Sequence, residues 1–193
     1  MSVMASLWRR AALTLVAGAA IAAPMGARAS LVEGLSVRLG FFMPVSSKVR
    51  SVTDVGMWGG GLEYKVPWVP HLFNGEHWST SISADFHYSE RKAGIVRYFP
   101  VSINQVYTFE EQNGHTPYAG FCVTAATFGT TGTGGGGEGG HNGQPTVTRF
   151  GGGLILGLNW TNSVYVEGRY EWFDHHNVAA TPEGLRAYVG YRF

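Results

Sequence analysis

The chain has 193 residues, with 14 Lys and Arg against 13 Asp and Glu. Only 14% of the residues are charged, well under the roughly 25% of soluble domains, while glycine reaches 28 residues and aromatics 13%. That balance allows one domain of ordinary size, β-rich and either membrane-embedded or a soluble sandwich. It lacks the basic excess that nucleic-acid binding requires.

The N-terminus reads as an export leader. Arg9 and Arg10 precede an apolar run from Ala11 to Ala23, Pro24 follows, and Ala27-Arg28-Ala29 supplies a small-residue cleavage site before Ser30. The run is shorter than the ~20 residues of a spanning helix. Residues 1–29 are therefore expected to be cleaved, leaving 30–193 as the mature domain. Removal takes three of the 14 basic residues and leaves 11 against 13 acidic ones, near −2. Cys122 is the single cysteine, so no intramolecular disulfide is available.

In the mature chain the apolar period is two, not 3.6. Residues 35–43 put Leu35, Val37, Leu39, Phe41 and Met43 on one face against Ser36, Arg38 and Gly40. Residues 58–66 oppose Trp58, Leu62, Tyr64 and Val66 to Gly59, Gly61, Glu63 and Lys65. Residues 78–88 oppose Trp78, Ile82, Ala84, Phe86 and Tyr88 to serines, Asp85 and His87. A fourth strand, about 95–109, is less regular, and Pro100 predicts a bulge there. A fifth, 118–128, has small residues on both parities and no legible orientation. Residues 148–160, 164–172 and 185–193 complete the set. They carry Arg149, then Glu167, Arg169 and Glu171, then Arg186 and Arg192 on their polar faces.

The connections alternate in character. Segments 44–54, 89–94, 129–146 and 173–184 are polar or glycine-rich and read as outer loops, with both chain ends at the inner side. Segments 110–116 and 161–163 are short, as inner turns should be, and 67–77 is longer than ideal.

Eight strands, several of the ~9–11 residues that cross a bilayer at a tilt, predict an all-β fold: an eight-stranded antiparallel up-and-down transmembrane β-barrel. Hydrocarbon cannot satisfy backbone N–H and C=O groups, so the sheet must close. Trp58, Trp78, Tyr88, Tyr107, Trp160, Trp172, Tyr191 and Phe193 lie near strand ends, where two aromatic girdles belong. The charged faces then turn inward. Arg38, Glu63, Lys65, Asp85, His87, Arg149, Glu167, Arg169, Glu171, Arg186 and Arg192 are expected to form an interior network. Gly59, Gly61, Gly151 and Gly153 are expected to leave room for the long arginines. A soluble sandwich or lipocalin-like barrel has the same periodicity turned outside-in.

The stretches "FPVSINQVYTF", "TPYAGF", "FGGGLILGLNW", "VYVEGRYEW" and "LRAYVGYRF" resemble the small outer-membrane β-barrel superfamily of Gram-negative bacteria, with its OmpA-like, OmpX-like and OmpW-like members. The resemblance covers most of the mature chain and is strongest from about residue 99. It implies that the terminal strand, with Ala187, Val189, Tyr191 and Phe193 alternating, is an assembly signal. Its reader would be the barrel assembly machinery. It also implies residence among outer-membrane lipids; no peptidoglycan-binding domain is expected after the barrel, so the anchoring role of full OmpA-type proteins is not expected to carry over.

Catalytic and metal motifs are weak. His87 and Ser89 in "FHYSE" resemble a His-x-Ser pair of outer-membrane lipid A deacylases, but they fall on the inward parity and their surroundings do not match. The adjacent His175 and His176, with Glu138 and His141 in the Gly-rich loop, lack the defined spacing of metal ligands. The glycine run 134–140 has no Lys-Ser/Thr after it, as a phosphate cradle would. The expectation is a non-enzymatic barrel without a cofactor, acting structurally or through its outer loops on an extracellular ligand the sequence does not name. A narrow conduit for small or apolar solutes is the alternative, and a lipid A hydrolase the remote one.

Overall fold

All eight segments form strands, six of them with a clean alternation of apolar and polar side chains. The computed structural model describes residues 33–53, 56–67, 75–91, 94–132, 146–174 and 182–193. The leader, most of the Gly-rich segment, His175 and His176 lie outside them. Strands β1 (Leu35–Pro44), β2 (Met57–Lys65), β3 (Trp78–Arg91), β4 (Gly94–Thr108), β5 (Thr116–Gly132), β6 (Val147–Asn159), β7 (Val164–Phe173) and β8 (Gly184–Arg192) follow in chain order. Each pairs antiparallel with its neighbours in sequence, and β8 pairs with β1 from Ser36↔Arg192 to Pro44↔Gly184. The result is a closed barrel, which removes the unpaired edges an open sheet would present to lipid. The end carrying Gly34 and Phe193 is called inner, the opposite end outer.

The outer wall is apolar. Leu39, Trp58, Val123, Phe150, Leu156 and Val189 are all more than half exposed. Aromatic pairs sit at two levels. Phe41 and Trp58 meet at 4.9 Å near the outer end, while Trp78–Tyr107 (5.3 Å) and Tyr191–Phe193 (5.2 Å) do so near the inner end. Trp78 and Tyr88 bound the wall of β3 ten residues apart, about 25 Å of height at the usual rise and tilt, the thickness of an outer-membrane apolar band. Gln105 and Thr80 share the parity of this wall but are buried. They are cross-strand partners, and the Gln105 amide donates to Thr80 Oγ1 at 2.6 Å.

Three local expectations need correction. Pro100 introduces no bulge: Ala84↔Val101 and His87↔Tyr98 keep one register on either side of it, and Pro100 pairs in sequence with Ala126. Proline only removes a donor there, and the β5 ladder holds the strand straight. Segment 44–54 is more than a polar loop, because Ser47–Thr53 forms a short helix, α1, whose Val49 is buried. The glycines on the inward face leave room not for arginines but for the residue directly across the strand pair. Gly59 faces His87, Gly61 faces Asp85, Gly151 faces Phe173 and Gly153 faces Glu171, and Gly40, Gly157 and Gly190 face Tyr188, Tyr118 and Tyr165 in the same way. A β-carbon at any of them would strike the facing side chain.

Asn113-Gly114 makes the β4–β5 turn. Both residues have positive φ (53° and 79°), and Gln112 and His115 exchange backbone hydrogen bonds of 2.8 and 3.0 Å across it. Asn-Gly tolerates this left-handed pair, whose twist matches that of the flanking strands. On β5, Tyr118, Cys122, Thr124, Ala126 and Phe128 are buried, which gives the inward parity the sequence left open.

Candidate functional site: the ionic lumen

The lumen has three layers. In the middle, Arg38 on β1 grips Asp85 on β3 with both ends of its fork: Nε to Oδ1 at 2.7 Å and Nη2 to Oδ2 at 2.8 Å. Its Nη1 donates to Glu63 on β2 at 2.6 Å and reaches Glu167 on β7 at 3.4 Å. Arg169 donates from Nε to Glu167 at 2.5 Å and from Nη2 to Glu63 at 3.1 Å. Its Nη1 donates to the Asn104 carbonyl oxygen at 3.0 Å. Arg186 on β8 donates to Asp85 at 3.0 Å and also bonds Glu171.

Tyrosines and small hydroxyls occupy the remaining acceptor positions. Tyr118 donates to Glu167 at 3.0 Å, Tyr98 to Glu171 at 3.1 Å, Thr124 to Glu171 at 2.9 Å and Ser81 to Glu63 at 2.5 Å. Cys122 Sγ lies 3.4 Å from Glu171. The Arg38 guanidinium also stacks over the Tyr188 ring, 4.4 Å from its centroid. Charges removed from water persist only where partners replace the lost hydration, and a bidentate Arg–carboxylate fork does this with the least geometric slack.

Toward the outer end the lumen turns apolar. Phe42, Val49, Met57, Val96, Tyr98, Ala126, Phe128 and Phe173 form one buried cluster, with Phe42 stacked on Tyr98 at 4.7 Å. His87 sits at the boundary between layers. Its Nε2 lies 3.3 Å from the Tyr188 hydroxyl, and its ring is flanked by Phe42 and Tyr98. Toward the inner end there is a vestibule of about 70 Å³, whose lining includes Glu63, Lys65, Asn159, Tyr165, Glu167 and Arg192.

The sequence-derived polar residues therefore fall into groups. Arg38, Glu63, Asp85, Glu167, Arg169, Glu171 and Arg186 make one connected network, and His87 joins it through Tyr188 and Arg186. Lys65 and Arg192 stand at the inner rim, Arg192 over the Tyr165 ring at 5.3 Å, and neither belongs to that network. Arg149 lies near the outer end of β6, opposite Ala126. Tyr191 and Phe193 are on the outer wall, partly exposed. Among the described residues no group of three or more His, Cys, Asp or Glu is arranged to hold a metal ion.

Comparison with known proteins returns no matching family model and no matching curated protein. Solved structures do match. Neisserial surface protein A superposes with a TM-score of 0.51 at 12% identity, covering 82% of this chain and 96% of that one. The outer membrane enzyme PagL gives 0.50 at 14% identity, covering 82% and 98%. This chain has the fold of the small eight-stranded outer-membrane barrels.

Within that outer-membrane barrel fold, sequence reasoning found the charges and missed the tyrosines. Tyr98, Tyr118, Tyr165 and Tyr188 all point inward and are buried. A usable signal was present, because Tyr188 shares parity with Arg186 and Gly190. Its seat against Gly40, however, depends on a register between β8 and β1 that no local pattern specifies. The apolar plug was missed for the same reason, since Phe42 lies on the parity of Arg38 and reads locally as an exception.

Proposed function

We propose that this chain is a non-enzymatic barrel of the bacterial outer membrane. In this reading it is exported by a leader spanning residues 1–29 and closed by the assembly machinery on its terminal strand. It works as a structural or surface-interaction protein through its outer loops. The observation that carries the reading is the filled lumen. An ionic layer of seven charged side chains spans the middle, and an apolar plug with Val49 of α1 lies above it. A solute crossing this path would have to break the Arg38–Asp85 fork and displace Phe42 and Tyr98 together. The apolar wall and its two aromatic levels support placement in lipid.

The conduit reading meets that obstruction directly. The hydrolase reading meets another. His87 is fully buried inside the barrel, so a lipid at the wall has no path to its imidazole, whereas the neighbouring Tyr88 and Glu90 face outward and bond one another at 3.0 Å. Reconstitution of the folded protein in planar lipid bilayers tests the reading. Absence of unitary current steps is expected, and stable reproducible steps would replace it with the conduit.

A further inference from the structure

The inner vestibule combines features the filled lumen above it does not need. Its floor carries Glu63 and Glu167, part of a network in which the three guanidiniums of Arg38, Arg169 and Arg186 face four carboxylates. Of these groups Glu63 is the one open to the vestibule, with its side chain 16% exposed where the others are at most 3%. The wall carries two oxygens able to accept that have no hydrogen-bond partner among the described residues, the Tyr165 hydroxyl and the Asn159 side-chain amide oxygen. Tyr165 is only 2% exposed, so its hydroxyl has left bulk water without gaining a partner among the described residues. At the mouth stand Lys65 and Arg192, with no carboxylate within 4.0 Å among the described residues. The vestibule is thus polarised along its axis, acidic and acceptor-rich at the bottom and cationic at the entrance.

We propose that this vestibule binds a small zwitterion, its ammonium group against Glu63 and the Tyr165 and Asn159 oxygens, its anionic group between Lys65 and Arg192. An ammonium brings three donors and no acceptor, which matches a floor of carboxylates and orphaned oxygens. Its charge offsets the one-carboxylate excess of the buried layer. A cation alone would meet the basic mouth, and an anion alone would meet the acidic floor, so neither suits the whole axis. A volume of about 70 Å³ has room for the ammonium end while the anion stays in the mouth. An ammonium two carbons from a phosphate has this form. It exists both as a free metabolite-sized molecule and as the headgroup of phosphatidylethanolamine at the membrane surface.

The test is calorimetric titration of the folded full-length protein with O-phosphoethanolamine. Ethanolamine and inorganic phosphate serve as half-ligands. Saturable binding by the zwitterion, at least about tenfold tighter than by either half, is expected. Glu63→Gln and Lys65→Gln should each weaken it by about tenfold. Tyr165→Phe, which removes one hydroxyl and leaves the ring on Gly190, should weaken it about threefold and keeps the test open if Glu63→Gln does not fold. Nanodiscs of phosphatidylethanolamine that abolish the free ligand's binding, where phosphatidylglycerol nanodiscs do not, assign the site to the headgroup. Equal binding in both assigns it to the free molecule. No saturable binding, ethanolamine binding as tightly as the zwitterion, or unchanged binding in Tyr165→Phe overturns the proposal. None of these outcomes bears on conductance, so this site and the sealed-lumen reading fail separately.

Discussion

At the scale of residues, stability rests on charges that have partners only inside the barrel. Arg38 serves Asp85, Glu63 and Glu167 at once. Arg38→Leu would leave those carboxylates short of a cation in the buried interior, at a cost of about 3–5 kcal/mol. Urea titration of the protein folded in lipid vesicles would read that loss as a lower midpoint at unchanged slope, and a midpoint equal to the parent's would mean the network is not structural. The cross-strand glycines impose a second constraint. Gly190→Ala would place a β-carbon into the Tyr165 ring. Overpacking of this kind costs about 1–3 kcal/mol. If the clash is the cause, Gly190→Ala and Tyr165→Ala are non-additive in a double-mutant cycle, whereas simple additivity would locate the cost in the strand backbone.

At the scale of elements, six of the eight strands were legible with their faces, and the fourth less cleanly, since the bulge expected at Pro100 is absent. Period two is a local property, and a one-residue slip would turn Arg38, Asp85 and Arg169 out to the wall. The fifth strand was not legible as to face, because Ala119, Gly120, Ala125 and Ala126 fit either side and only pairing with β4 and β6 decides. Helix α1 was illegible because seven residues carry too little periodicity to register and the helix is held by packing of Val49 into the plug. The site was legible as a set of charges but not as contacts, since partners such as Arg38 and Glu167 lie 129 residues apart.

The terminal strand carries its own prediction. Phe193 is partly exposed on the wall and touches Tyr191 edge-on at 5.2 Å, so its side chain contributes little packing inside the barrel. Phe193→Ser should therefore refold into detergent with stability within about 1 kcal/mol of the parent. The same variant should give a clearly reduced amount of folded protein in the outer membrane of expressing cells. Equal amounts in the membrane would remove the assembly role from this residue.

At the scale of the whole molecule, everything depends on which way the two faces point, and Cys122 reports on that. It is the only cysteine in the chain and lies on the inward face of β5, 3% exposed, against Thr124 and Glu171. Its outward neighbour Val123 is 62% exposed. A water-soluble maleimide must enter the lumen to reach this thiol. The plug closes one end, while from the other the vestibule stops at Glu63 and Glu167. Reactivity follows thiolate access, so the folded protein should resist labelling over a period in which the urea-unfolded chain labels completely. A Val123→Cys, Cys122→Ser variant moves the thiol one residue along the same strand onto the wall. In detergent micelles that thiol should label with a small lipid-soluble maleimide while the parent stays unmodified. The opposite pattern, with Cys122 reactive in the folded parent and the relocated thiol of the double variant protected, would mean that the apolar face is the inside of a soluble barrel. The ionic network would then be a surface.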